Sequence, residues 1–319
     1  MKKIGILTSG GDCSGMNAAI RAAVRIALRS NIEVIGFRKG YHGLMRGDAI
    51  LLDNRSVSGI LHRGGTFLQS ARSREFMTPD GQQEAVDRLR EMGIEGLLVI
   101  GGDGSLTGAL VLHRLGFPVV GIPASIDNDI PYTDMALGVD TALNNILYAV
   151  DCIKDTASSH ARAFVIEVMG RNSGYLASIS AIATGAEYAL VPEQPYSLPD
   201  ICQQLRRRFE EGRDNAIIIL AEGAGNGREI GDAIKDAIGF EVRVTVLGHY
   251  QRGGAPTVFD RLLASRFGKK SMELLMAGVS GVMVGLSNNS IVSTPLEEVI
   301  AGEKLPHDEM LRMAEVLGI

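Results

Sequence analysis

The chain has no tryptophan among its 319 residues, and aromatic side chains make up only 5% of it, so its core must be aliphatic. Cysteine occurs three times, as Cys13, Cys152 and Cys202. Their odd number and wide separation, with no CxxC pair and no metal-ligand spacing, fit a reducing cytoplasm. Positive charge is scarce too: 32 Lys and Arg face 37 Asp and Glu, a formal net charge of −5 at pH 7. That balance excludes a general basic surface for wrapping nucleic acid, so an anionic ligand must be met by local charge. The opening MKKIGILTSGGD has a four-residue apolar run, too short for the core of a secretory signal. The longest uncharged stretch, Leu274 to Leu296, is long enough to span a bilayer, but Gly278, Gly281, Gly285, Asn288, Asn289, Ser290 and Pro295 interrupt it. It reads as helix end, turn and strand, and the protein is expected to stay inside the cell.

What is present points to an α/β fold. At ~150 residues per domain the length implies about two domains or one large one. Hydrophobic residues at 45% and charged residues at 22% exclude a disordered tail or a fibre. Short apolar runs ending in Gly or polar turns alternate with longer amphipathic segments, as in a parallel sheet covered by helices. The predicted strands are Lys3 to Thr8, Glu33 to Phe37, Gly96 to Ile100, Pro118 to Ile122, Ala163 to Val168, Tyr188 to Val191, Asn215 to Ala221, Glu241 to Leu247 and Val282 to Leu286. No linker marks a boundary, and element order places one near residue 140, just before a helix predicted over Gly138 to Ala157.

Three loops carry chemistry. The first strand runs into Thr8-Ser9-Gly10-Gly11-Asp12-Cys13-Ser14-Gly15 and then a helix. Such a turn aims backbone N–H groups and a positive helix end at an anion. It is neither a Walker A loop nor GxGxxG, and a tight packing turn is the plainer alternative. The second loop, Gly101-Gly102-Asp103-Gly104-Ser105, precedes a helix predicted to begin near Leu106. Its glycines let phosphates approach, and Asp103 suits Mg²⁺, directly or through water, or a helix cap. The third, Gly121 to Asp129, holds Asp127 and Asp129 two apart. In an extended segment both would face one cleft, one taking a proton from a hydroxyl, although a surface turn also favours Asp and Asn.

In order and spacing, TSGGD-x-x-GMNAAIR, RGGTFL-x-SAR, GGDGS, SIDNDI, EVMGR and VLGHYQRGG resemble the bacterial-type ATP-dependent 6-phosphofructokinases over essentially the whole chain. The resemblance implies an α/β fold of two Rossmann-like three-layer domains with mainly parallel sheets and an active site in the cleft between them. It implies a larger ATP-binding domain at 1–138 plus about 251–301, and a smaller fructose 6-phosphate-binding domain at 139–250 plus about 302–319. ATP would meet Gly11, Tyr41, Arg72, Ser73, Gly102, Asp103, Gly104, Ser105 and Gly108, with Asp103 holding Mg²⁺. Asp127 matches the base for the 1-hydroxyl, beside Ser125 and Asp129, while Arg171 and Arg72 match charges on the transferring phosphoryl group. Acceptor-binding positions are Ser125, Ile126, Asp127, Arg162, Met169, Gly170, Arg171, Glu222, Arg243, His249, Tyr250, Gln251 and Arg252. Arg162, Arg243, His249 and Arg252 would converge on the 6-phosphate, guanidinium giving bidentate contacts, and Glu222 would accept from sugar hydroxyls. In the family Arg162 and Arg243 come from a neighbouring subunit, which implies a homotetramer.

The donor and the regulation turn on details. Pyrophosphate users of the family carry Asp after GGD and Lys at the position of Ala124; here Gly104 and Ala124 favour ATP. Arg21, Arg25, Lys154, Gly185, Glu187 and Arg213 match a site for ADP or phosphoenolpyruvate, but Asn54 and Glu211 stand where basic residues are usual. Like-charge repulsion at Glu211 implies a weakened or altered response. Gly223-Ala-Gly-Asn-Gly227 mimics a dinucleotide loop, yet Arg228 breaks the pattern and a flexible turn is expected. His42, His62, His113, His160 and His307 show no ligand spacing, and Arg206, Arg207 and Arg208 read as a solvated helix face. The rival readings are a pyrophosphate-dependent sugar-phosphate kinase and a silent sugar-phosphate sensor with the same pocket.

Overall fold

A computed structural model describes residues 1–157, 162–213, 215–304 and 308–318. Among them no helix is long and apolar enough to cross a membrane. Two compact units emerge: Met1–Ile126, Ile130–Thr141 and Arg252–Lys304 form the first, and Asp127–Asp129, Ala142–Gln251 and Leu305–Ile319 the second.

The first unit opens with β1 (Lys3–Thr8), α1 (Met16–Arg29), β2 (Glu33–Phe37), α2 (Gly40–Arg46), β3 (Ala49–Leu52), α3 (Pro79–Glu91), β4 (Leu97–Gly101), α4 (Asp103–Arg114) and β5 (Val119–Pro123). Helix α5 (Val139–Ala157) leads into β6 (Arg162–Val168), α6 (Tyr175–Thr184), β7 (Tyr188–Leu190), α7 (Leu198–Glu210), β8 (Asn215–Ala221), α8 (Gly227–Ile238) and β9 (Glu241–Val246) of the second unit. The chain then supplies α9 (Val258–Met276), β10 (Val282–Ser287), β11 (Ser290–Pro295) and α10 (Leu296–Ala301) to the first unit, and α11 (Asp308–Leu317) to the second.

The first unit's sheet runs β11-β10-β5-β4-β1-β2-β3, parallel except for the edge pairs β2–β3 and β10–β11. From β1 the chain steps toward β2, whereas from β4 it steps the other way to β5. Right-handed crossovers therefore put α1 and α4 on opposite faces. Helix α1 packs on α9, and α4 packs on α10. With both faces covered, every residue of β4 and β5 is buried, as continuous apolar runs in a parallel sheet require. Where α9 crosses α1, a Cβ on Gly268 would lie 2.4 Å from the Ala19 carbonyl oxygen, so glycine sets that approach. The second unit has an all-parallel sheet, β7-β8-β6-β9, over an aliphatic core that includes Val165, Leu205, Ile218, Leu220 and Ile234.

The structure thus has the expected α/β class with mainly parallel sheets, and it corrects several elements. Strands β3 and β11 were not anticipated: both are antiparallel edges, with Leu51 in β3 exposed, so neither shows a buried apolar run. Hairpin β10–β11 turns on Asn288 and Asn289 at φ 47° and 63°, the left-handed pair a two-residue hairpin demands. Helix α4 begins at Asp103 instead of near Leu106, because the Gly102 carbonyl already accepts from the Ser105 and Leu106 N–H groups. Of the arginine triplet, Arg208 is not merely solvated: it donates to the Gly318 carbonyl and lies over the Tyr188 ring. His160 and His307 lie outside the described residues.

One carboxylate fixes the start of α5. Asp260 in α9 has no exposed surface. It accepts from the Gly138 N–H at 2.9 Å, the Thr141 N–H at 2.8 Å and the Thr141 hydroxyl at 2.5 Å. Burial raises its pKa above the ordinary carboxylate value despite these bonds. A raised folded-state pKa contributes stability that is complete below the unfolded value, ~3.9, and fades as pH climbs through the folded one. We expect Asp260→Ala to cost about 3–5 kcal/mol by stranding buried donors. Chemical denaturation across pH should show the difference from the unaltered chain largest in acid and smaller toward neutrality; an equal loss at every pH would contradict the linkage.

Candidate active site

In the first unit, the sheet's order reverses at β1 and β4, and ligands of open α/β sheets bind beyond the strand ends at such a point. Two glycine loops leave the sheet there, and the Ser9 N–H donates to the Ile100 carbonyl at 3.0 Å. Gly10 has φ +82°, and a Cβ on it would stand 3.2 Å from Ser105 Oγ. A Cβ on Gly101 would stand 2.4 Å from the Ser9 carbonyl oxygen and 2.5 Å from Ser105 Oγ, so no side chain fits between the loops. Ser105, itself buried, packs against both Gly10 and Gly101. Each loop opens a helix, α1 after Gly15 and α4 after Gly102, with no side-chain cap bond, so each turns first-turn N–H groups and a positive helix end outward. Asp103 and Gly104 are exposed at the first turn of α4, and a Cβ on Gly104 would meet nothing within 4 Å.

The residues matched to ATP fall around these loops in different ways. Tyr41 is buried and stacked on Phe76, ring centroids 4.0 Å apart, and its hydroxyl donates to the Ser105 carbonyl at 2.8 Å. Burial pushes its phenol well above the ordinary range, so it stays neutral. Gly108 faces this pair, a Cβ there falling 2.8 Å from the Tyr41 ring. Arg72 is exposed; Ser73 is buried and its hydroxyl accepts from the Phe76 N–H at 3.3 Å. Gly11 lies under Arg252, whose Nη1 would be 2.0 Å from a Cβ there and which donates to the Asp12 carbonyl at 3.3 Å. Cys13, in the same loop, is no nucleophile: burial first, then Asp260 and Asp12, push its thiol far up.

In the second unit, Asp127–Asp129 is a turn. Asn128 is buried with φ +50°, so the alternation assumed for an extended segment fails: Asp127 is half-buried and Asp129 exposed. The Ser173 hydroxyl donates to the Asp127 carbonyl at 2.8 Å. Arg171 is exposed on the loop from Met169 to Gly174. Gly170 takes φ +129° there, and the Gly223 N–H donates to its carbonyl at 3.1 Å. Gly223 is therefore not a free turn: a Cβ on it would stand 1.8 Å from the Arg171 carbonyl oxygen. Glu222 is exposed beside it. Gln251 is buried, accepting from the Met169 N–H at 3.2 Å and donating to the Gly248 carbonyl at 3.1 Å. His249 and Tyr250 are exposed, while Met169 and Ile126 are buried. Arg162 on β6 and Arg243 on β9 both pair with Glu241, the former at 2.6 Å. The structure thus gathers Arg162 and Arg243 around one carboxylate and places Arg252 in the first unit, against Gly11. Sequence reasoning missed Ser173 and Glu241, which no motif marked, and took Gly223 for part of a flexible turn.

The positions matched to an effector are split as well. Arg21 and Arg25 lie on α1, where burial and mutual repulsion lower the Arg21 pKa. Lys154 donates to the Thr184 carbonyl next to Gly185. Glu187, just before β7, accepts from the Ile217 N–H of β8 at 2.6 Å. Glu211 pairs with Arg207 at 3.4 Å, and Arg213 follows on the same turn.

The phosphofructokinase family profile matches residues 3–275. A protein named ATP-dependent 6-phosphofructokinase from Halalkalibacterium halodurans is 51% identical over the full length of both chains. One of the same name from Thermotoga neapolitana is 48% identical, again over both full lengths. Among solved structures, Pichia pastoris phosphofructokinase in the T-state superposes with a TM-score of 0.89 at 39% identity, covering 94% of this chain and 35% of that longer one. A pyrophosphate-dependent phosphofructokinase from Marinobacter aquaeolei shares the fold, with a TM-score of 0.87 at 22% identity, covering 100% and 92% of the two chains. Glycine loops at the switch point, an Asp-Asn-Asp turn and full-length identity near one half converge: this chain belongs to the phosphofructokinase family.

Proposed function

We propose that the chain transfers the γ-phosphoryl group of ATP to the 1-hydroxyl of fructose 6-phosphate, giving fructose 1,6-bisphosphate and ADP. The observation that carries this reading is the pair of glycine loops opening α1 and α4 beside one another, in a chain half identical to ATP-dependent 6-phosphofructokinases. On this reading the first unit binds the donor, and the second supplies most of the groups for the acceptor. In the first, Gly11 and the turn Gly102 to Ser105, with Gly108 behind, offer backbone N–H groups to the phosphates, and Arg72 adds charge. Among the described residues no cluster of three metal-ligating side chains exists. Mg²⁺ held by substrate phosphates and one carboxylate fits this, and Asp103, exposed beside the open space at Gly104, is that carboxylate. When bound, Mg²⁺ neutralises phosphate charge.

Asp127 takes the proton of the 1-hydroxyl as that oxygen attacks phosphorus. Ser125 and Asp129 flank it, and Arg171 stabilises charge on the phosphoryl oxygens. Glu222 accepts from sugar hydroxyls, and Arg162, Arg243, His249 and Arg252 hold the 6-phosphate. The glutamate between Arg162 and Arg243 keeps both guanidinium groups on one edge of the sheet. We place the enzyme in the cytoplasm, as a homotetramer in which Arg162 and Arg243 serve a neighbouring subunit. Val258 and Leu262, one turn apart on α9, are 84% and 58% exposed, which supports apolar contact between copies.

Donor choice tests the reading. A carboxylate at position 104 would crowd the path of the nucleotide phosphates, and none stands there. With fructose 6-phosphate and Mg²⁺, ATP should support turnover at least about a hundredfold above pyrophosphate, a difference of ~2.7 kcal/mol in transition-state binding. Equal or faster turnover with pyrophosphate would overturn the donor assignment, and none with either donor would favour the silent sensor.

A further inference from the structure

The loop carrying Arg171 is held at four points within the second unit. Gly170 takes a left-handed φ of +129°, and a Cβ on it would come 2.3 Å from the Ser173 carbonyl oxygen, so the loop folds back on itself. Gly223 bonds it from one side. The Glu193 carboxylate accepts from the Gly174 N–H at 2.7 Å, closing the N-terminus of α6. The fourth point is a side chain. Ser173 Oγ accepts from the Tyr175 N–H at 3.3 Å and donates to the Asp127 carbonyl at 2.8 Å. A half-buried hydroxyl thus joins the helix start behind Arg171 directly to the main chain of Asp127, 46 residues away.

We propose that Ser173 is a positioning residue, whose hydroxyl sets the Asp127 main chain against the Arg171 loop so that proton acceptor and guanidinium address one reacting centre. The inference rests on the roles given above to Asp127 and Arg171. Ser173 is thereby assigned an action through Asp127 and the Arg171 loop, not a contact with substrate. Asn128, next to Asp127, sits in the left-handed region, where the backbone tolerates few alternatives, and the Ser173 bond fixes the peptide that leads into it. Without the bond, both loops remain but their relative placement loosens. A misplacement approaching 1 Å costs chemistry far more than binding, because only the transition state requires both groups at once.

The test is steady-state kinetics of the full chain with ATP, Mg²⁺ and fructose 6-phosphate for Ser173→Ala, Ser173→Thr and Ser173→Cys. Alanine should lower kcat about tenfold while KM for each substrate stays within about twofold. Threonine, which keeps the hydroxyl, should restore at least about half of kcat, and cysteine, a weaker donor of similar size, should fall between. If the alanine form does not fold, the cysteine form decides: an intermediate kcat supports the role, and an unchanged one contradicts it. A kcat for Ser173→Ala within twofold of the unaltered chain, or a threonine form no better than alanine, would overturn the positioning role alone. Absence of turnover by the unaltered chain would overturn the activity and this role together.

Discussion

Asp127→Asn should lower kcat by on the order of 10²- to 10⁴-fold, with KM for fructose 6-phosphate changed less than about threefold. The substitution keeps the shape of the side chain and the main-chain bond from Ser173, so the turn around Asn128 stays in place. It removes the ability to take a proton. An alcohol attacking phosphorus acquires acidity as its bond forms, and without a positioned acceptor the proton must leave to water, a slower route. With the roles proposed above, binding falls chiefly to the arginines and Glu222 and should be largely spared. Parallel kcat and KM determinations check this, and near-normal turnover would remove Asp127 from the role of base. The neighbouring Asp129→Asn should cost less, since Asp129 is exposed where Asp127 is half-buried.

Gly223→Ala should be damaging for a purely steric reason. The added methyl would stand 1.8 Å from the Arg171 carbonyl oxygen and 2.6 Å from its carbonyl carbon. These are backbone atoms, and the loop carrying Arg171 must shift to admit it. The Gly223 to Gly170 bond at 3.1 Å opens with that shift. Overpacking of this kind costs about 1–3 kcal/mol of stability. Displacement of Arg171 should lower kcat by on the order of 10²-fold, since a charge moved by about 1 Å no longer matches the phosphoryl oxygens of the transition state. Thermal unfolding and kcat measured on one preparation separate the effects. Gly225→Ala is the control: its Cβ would meet the flexible Ile230 side chain and the Tyr196 hydroxyl, so turnover should change less than about threefold. Equal losses from both substitutions would contradict the assigned role of Gly223.

The class of the fold was legible because buried parallel strands announce themselves as uninterrupted apolar runs; β1, β2 and β8 have the expected bounds. Edge strands carry no such mark. Strand β3 is four residues with an exposed leucine, and β11 ends in Pro295 with its side chains half exposed. Asn288-Asn289 was the available signal for the second, since two residues able to adopt positive φ predict a hairpin. The glycine loops were legible as strand-to-helix turns, because strand, glycines and helix follow in order. Their contact through Ser105 was not, because it joins residues some 90 positions apart in sequence, brought together by the order β4-β1.

The Asp-Asn-Asp turn shows the limit of periodicity. Alternation assumes extended backbone, and one left-handed asparagine cancels it. Gly223 was read as a flexible turn because its constraint lies in the carbonyl of Arg171, which no local pattern encodes. Ser173 and Glu241 belong to the same class: each acts through a distant partner, Asp127 in one case and two arginines on neighbouring strands in the other.

What distinguishes the proposed reaction is the bond it makes. Phosphorus NMR of a reaction holding the chain, ATP, Mg²⁺ and fructose 6-phosphate tests it most directly. Transfer to the 1-hydroxyl requires a new sugar-phosphate resonance at the 1-position, growing in step with ADP while the 6-phosphate persists. ATP consumed without a new sugar phosphate, or phosphate appearing on a different hydroxyl, would contradict it.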